Sequence, residues 1–201
     1  MLRLLSCLLA SILLLTSCGE ETPKENLSQT DSEKLNQEGM AMIASARDSA
    51  AVYKGLYVLD KAIATDSNNV AAYNNKIGTL LQLNRIDKAL QTIQLLNTKT
   101  NVPDYVFFEG LIQEKYNKDT IQAQQLYGRA ISMYDDKIAE QPNESQIYIN
   151  KGVAILVKDG QEAGMAYYYG LKPQFENDEF YKNNLKVFAE FDKAVFLEEL
   201  W

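Results

Sequence analysis

Residues 55–63 read GLYVLDKAI, and the same layout returns at 89–97 (ALQTIQLLN), 123–131 (AQQLYGRAI) and 163–171 (AGMAYYYGL). Each stretch begins with a small residue and carries a large apolar one at its fifth place: Leu59, Ile93, Tyr127 and Tyr167. Three of them have a small residue at the eighth place and an aliphatic one at the ninth. The starts lie 34, 34 and 40 residues apart. A small first residue lets two helices approach closely, and a large fifth residue fills the space between one helix pair and the next. Repeated spacing of this kind is harder to produce by accident than amphipathicity is.

Upstream of each stretch lies a further helical segment, expected over residues 37–47, 71–83, 104–116 and 146–158. A two-helix unit recurring near every 34 residues is similar to the tetratricopeptide repeat. Gly110 and Gly152 resemble that family's first-helix glycine, and Tyr73 and Tyr148 its large aromatic. The run AIATDSNNVAAY at 62–73 resembles its join between units, with Ser67 where a proline is usual. Pro103, Pro142 and Pro173 fall between units, where a proline ends a helix without removing an interior hydrogen bond. The first unit departs from the pattern, having Gly39 where the aromatic belongs, and the third has extra residues before Pro142, so its second helix, IQAQQLYGRAISMYDDKIAEQ, is expected to be long. The resemblance covers residues 36–173 and implies an all-α array of about four helix-turn-helix units.

In this family the first helices of the units line the concave face that binds peptides. In units three and four they read DYVFFEGLIQEKY and QIYINKGVAILVK, apolar on nearly every side. A helix apolar all round is covered all round, by neighbours or by a partner. Phe107, Phe108, Leu111, Ile149 and Val153 are therefore candidate partner contacts. In the fourth repeated stretch, three adjacent tyrosines span about 200° of a helix and cannot all enter one core. Tyr167 takes the fifth, core place. Tyr168 and Tyr169 are expected to face the convex side or the next element, and both join the candidates. Asn74, Asn75 and Asn150 hint at the carboxylate-binding members of the family, but the matching lysines are absent.

The N-terminus carries an address. Arg3 precedes a leucine-rich run too short to span a bilayer, the layout of a secretory signal. It ends in Leu15-Thr16-Ser17-Cys18, which resembles the lipobox of bacterial lipoproteins and makes Cys18 the expected lipid attachment site, with 1–17 as signal peptide. Cys7 is lost with the signal, so no internal disulfide is possible. Cys18 is not followed by aspartate, which fits outer-membrane sorting, and Glu20 and Glu21 resemble the export tag of surface lipoproteins in the Bacteroidota. Residues 18–35 are polar and expected to be a flexible tether.

The balance of 20 basic against 27 acidic residues gives a net charge of −7, which argues against nucleic acid as a partner. Histidine is absent, removing the usual general base and the commonest metal ligand. No phosphate loop, paired-cysteine motif or nucleophile elbow is present, so no enzyme activity, cofactor or metal is expected. The adjacent acids Asp135-Asp136 and Glu198-Glu199 point about 100° apart on a helix and make no acid/base pair by sequence. On a helical wheel from Phe180, Tyr181, Leu185, Val187, Phe188, Phe191, Val195 and Phe196 share one broad arc, so 174–201 is expected to be a capping helix whose tail, LEELW, turns back or meets a partner. The expectation is an envelope protein that binds another protein or peptide and is held to the membrane by acyl chains. The alternatives are a lipoprotein capturing a small molecule or glycan on Tyr168, Tyr169 and the Phe107 region, and a carboxylate-dependent hydrolase that no constellation supports.

Overall fold

Small residues mark the places where helix backbones touch. A Cβ on Gly55 would lie 2.8 Å from the Gly39 carbonyl oxygen and 2.5 Å from Ile43 Cγ1, and the equivalent Ala89 and Ala123 are fully buried. A computed structural model of the chain describes residues 27–200 and contains, among them, eleven helices and no strand. They form two compact units, divided at Thr100 and Asn101. The proposed signal peptide, Cys18, the first part of the proposed tether and Trp201 lie outside the described residues.

The first unit holds two helix pairs: α1 (Leu27–Ala44) with α2 (Ser49–Thr65), and α3 (Val70–Gln82) with α4 (Ile86–Lys99). Each turn has its own chemistry. Asp48 caps α2 by accepting from the Ala51 N–H at 2.8 Å, and Asn69 caps α3 by accepting from the Ala72 N–H at 3.0 Å. Between α3 and α4 the chain reverses through Asn84 in the left-handed region (φ 54°), which asparagine tolerates better than most residues. Leu59, Ala62, Tyr73, Ile77, Ala89, Ile93 and Leu96 make the core.

Helix α1 starts earlier than the sequence pattern implies. The tether expected over 18–35 is helical from Leu27, and Ser32 is completely buried. The Ser32 hydroxyl donates to the Ala62 carbonyl at 2.7 Å and accepts from Asn69 Nδ2 at 2.7 Å. One small polar side chain thereby satisfies the C-terminal turn of α2 and fixes the cap of α3. A buried polar residue hydrogen-bonded on both sides leaves no apolar mark in the sequence, so the composition of 27–35 reads as linker.

The second unit begins with α5 (Pro103–Ile112), which runs into a π-helical turn at Gln113–Asn117 and ends on Lys118 in the left-handed region (φ 58°). Next come α6 (Thr120–Glu140), long as expected, α7 (Ser145–Asp159), α8 (Gln161–Gly170) and the single turn α9 (Lys172–Phe175). The expected capping helix is two helices, α10 (Glu179–Ala189) and α11 (Lys193–Glu199), because Asp192 accepts from the Ala194 and Val195 N–H groups and starts a new helix after Glu190.

The fourth repeated stretch is also one residue out of the expected register. A Cβ on Gly164 would collide with the Leu156 side chain, so Gly164, not Ala163, is the close-contact residue where α8 crosses α7. The fifth place is then Tyr168 and the eighth Leu171. Leu59, Ile93, Tyr127 and Tyr168 are all buried, whereas Tyr167 is only half-buried, lying beneath the Lys151 ammonium.

Candidate functional site

Most of the sequence-predicted contact residues are core. Phe107, Leu111, Ile149 and Val153 are buried, and Phe108 is half-buried. The Phe107 ring packs 5.5 Å from that of Tyr127, centroid to centroid. Tyr168 is stacked on Tyr181 at 4.4 Å and contacts Phe188 at 4.7 Å, and its hydroxyl donates to the Tyr181 carbonyl at 2.7 Å while Tyr181 donates back to the Tyr168 carbonyl at 3.3 Å. Burial pushes the Tyr168 phenol well above its ordinary range. Tyr169 alone of the candidates is largely exposed, at 56%. The platform of Tyr168, Tyr169 and the Phe107 region is thus reduced to one side chain.

The open apolar surface of the first unit lies elsewhere. A cleft of about 530 Å³ runs between α2 and α4, with α3 beneath. Its floor is Leu56, Tyr73 and Leu80, all buried, and its walls carry Tyr57 and Leu95, 61% and 47% exposed. Burial, with the negative charge of Asp66, raises the Tyr73 phenol above its usual value, so it presents a neutral hydroxyl. The polar lining is equally definite. Lys76 Nζ pairs with Asp60 at 2.6 Å across the join of α2 and α3, and Lys88 opens onto the same cleft from α4. Tyr53, at one end, accepts from Arg85 Nε at 2.7 Å. Lys61 sits over the Tyr57 ring at 4.7 Å and holds that ring at the rim. Sequence reading looked to the first helices of units three and four and to Tyr168 and Tyr169, and missed this surface in the first unit. The signal was present in part: Tyr57 and Leu95 are large apolar residues at places three and seven of their stretches, outside the buried places one, five and eight.

Two polar constellations organise the second unit. Asp104 is buried at the start of α5, where its Oδ1 accepts from the Tyr134 hydroxyl at 3.0 Å and from Asn150 Nδ2 at 3.1 Å, joining α5, α6 and α7. Burial raises its carboxyl above the usual range, partly offset by those two donors. At the π-helical turn, Glu114 accepts from the Tyr127 hydroxyl at 2.8 Å and pairs with Lys193 of α11 at 2.7 Å. Asp135 of α6, one of the adjacent acids, pairs with Lys151 of α7. Among the described residues no group of three or more His, Cys, Asp or Glu side chains is arranged to hold a metal ion.

No protein-family model and no curated relative matches the chain. Among solved structures it is similar to a tetratricopeptide repeat protein from Parabacteroides merdae ATCC 43184, at 15% identity over 88% of this chain and 86% of that one, with a TM-score of 0.36. The all-α fold stands on this chain's own geometry: successive antiparallel helix pairs, each closed by a small residue and filled by a large one four residues on.

Proposed function

We propose that this chain is a lipid-anchored, non-enzymatic adaptor of a bacterial envelope, bound through Cys18 to the outer membrane, and that it holds a segment of another protein in the cleft between α2, α3 and α4. The observation that carries the reading is the pairing of exposed Tyr57 and Leu95 over a buried apolar floor. Aromatic residues are enriched at protein interfaces, and a central apolar anchor dropped into a pocket is their usual energetic core. The occupant's charge follows from the lining. In a chain of net charge −7, the cleft presents Lys76 and Lys88 against Asp60 alone, so it suits an apolar segment bearing an acidic group. The test is a photo-crosslinking amino acid placed at position 57 in membranes of the producing cell. A discrete adduct that disappears with Leu95→Asp is expected; diffuse labelling, or an adduct indifferent to Leu95→Asp, overturns the reading.

A second reading, capture of a small molecule or glycan, moves to the same cleft, because its volume falls in the range of about 300–1,000 Å³ typical of ligand sites and three tyrosines line it. Saturable glycan binding with no protein adduct at position 57 would favour it.

A further inference from the structure

Helix α11 is seated apart from the helix pairs of the second unit. The pair α7 and α8 is already sealed by α10, whose Tyr181 and Phe188 are buried against Tyr168 and close to Gly152, where a Cβ would come within 2.7 Å of the Phe188 ring. Helix α11 has seven residues, follows a break flanked by exposed Glu190 and Asp192, and its backbone runs alongside no other helix for any length. A helix this short has no stability of its own in water. It is held by side chains. Lys193 in its first turn pairs with Glu114 and lies 5.7 Å from the centre of the Tyr127 ring, while Phe196 and Leu200 are buried. At its other end, Lys115 donates to the main-chain carbonyls of Glu198, at 3.1 Å, and Leu200.

The receiving side is also tied together within its own elements, by a contact between the π-helical turn and α6. The Glu114 carboxylate accepts from the Tyr127 hydroxyl, so a carboxylate and an aromatic ring converge on one place for a cation. Lys115, its ammonium pushed to a lower pKa by burial, addresses the unsatisfied carbonyls of a helix end, where the helix dipole is negative; any helix presents these. Both residues sit on the π-helical turn Gln113–Asn117, and such turns recur at functional sites.

We propose that Glu114, Lys115 and Tyr127 form a docking site for a short helical protein segment with a basic residue in its first turn, an aromatic residue three places on and an aliphatic one four places further, and that residues 193–200 occupy this site in cis. The site lies wholly in the second unit and is independent of the cleft reading. The tail is a resident competitor, at an effective concentration of roughly millimolar set by its short link.

The experiment uses the full chain and a labelled peptide of residues 191–201, FDKAVFLEELW. Phe196→Ala with Leu200→Ala vacates the site, and that variant is expected to bind the peptide saturably, at least roughly tenfold more tightly than the wild type does, while a scrambled peptide does not bind. Adding Glu114→Gln to the vacated chain should weaken binding by roughly tenfold. Equal binding by vacated and wild-type chains, or no effect of Glu114→Gln, overturns the proposal. Should the vacated chain lose its helical signal, hydrogen exchange of the wild type decides. The amides of 197–199 should exchange at least roughly tenfold faster than those of 183–188, and equal protection would make the tail part of the cooperative core and overturn the proposal.

Discussion

Tyr168 and Tyr169 are adjacent and chemically identical, yet one is core and the other surface, because a single position on α8 turns the side chain through about 100°. Their energetic weights should differ accordingly. Tyr168→Ala removes a stacked ring and a reciprocal pair of hydrogen bonds and should destabilise by about 3–5 kcal/mol, Tyr168→Phe by about 1 kcal/mol, and Tyr169→Ala by no more than about 0.5 kcal/mol, as read by urea denaturation. Asp104 supplies a pH signature. Its carboxyl is raised in the folded chain from an ordinary value of 3.8, so above pH 3.8 the folded state holds its proton more tightly than the unfolded state does. Stability from this group is therefore fully present below pH 3.8 and is lost as pH rises through the folded value. Asp104→Asn keeps an oxygen that can accept from Tyr134 and Asn150 but cannot ionise. The variant should gain on the wild type as pH is raised from 4 towards neutrality, and parallel stability curves would show that the buried carboxyl does not titrate as its surroundings require.

At the scale of helices, the first three repeated stretches were legible because Gly55, Ala89 and Ala123 are the small residues at which pairs close, and Leu59, Ile93 and Tyr127 the large ones that fill behind them. In the fourth stretch two small residues, Ala163 and Gly164, stand side by side before three tyrosines, so either register puts a small residue first and a large one fifth, and the small Gly170 and aliphatic Leu171 at the eighth and ninth places point to Ala163. The approach of Leu156 to Gly164, with Tyr168 buried and Tyr167 only half-buried, decides between them. The break between α10 and α11 was hidden for a related reason: the apolar arc from Phe180 to Phe196 continues across it, while the Asp192 cap that starts α11 is a local polar event that a helical wheel does not weigh. The cleft was legible only in Tyr57 and Leu95, because it depends on which apolar residues remain uncovered, a property of three helices together. The register is testable. Gly164→Ala gains about 1 kcal/mol in helix propensity but places a methyl against Leu156, so overpacking of about 1–3 kcal/mol should leave it no more stable than the wild type. Ala163→Leu, one position round, should cost less than Gly164→Leu. A more stable Gly164→Ala chain, or equal costs for the two leucines, would restore the earlier register.

At the scale of the whole molecule, the start of α1 changes what the proposed anchor would do. No helix among the described residues is long and apolar enough to cross a membrane. Attachment on the proposed reading rests on acyl chains at Cys18, each buried methylene contributing about 0.8 kcal/mol. Loss of residues 1–17 removes Arg3 and no acidic residue, so the chain that remains is more negative than −7 and is repelled by anionic lipid, leaving the acyl chains as the attractive contribution. From Cys18 to Leu27 the chain can reach at most about 30 Å even fully extended, roughly half of what a tether to residue 35 would allow. On the proposed reading the first unit, and the cleft within it, would be confined close to the bilayer, and a partner would have to present its segment there. Cys18→Ser should abolish incorporation of labelled fatty acid and move the protein from the detergent phase to the aqueous phase on cloud-point partitioning. Unchanged labelling and partitioning would remove the anchor and with it the confinement. If the anchor holds, inserting about 20 Gly/Ser residues between Cys18 and Leu27 should leave labelling intact while reducing the adduct formed at position 57, because the cleft then samples a larger volume away from the surface.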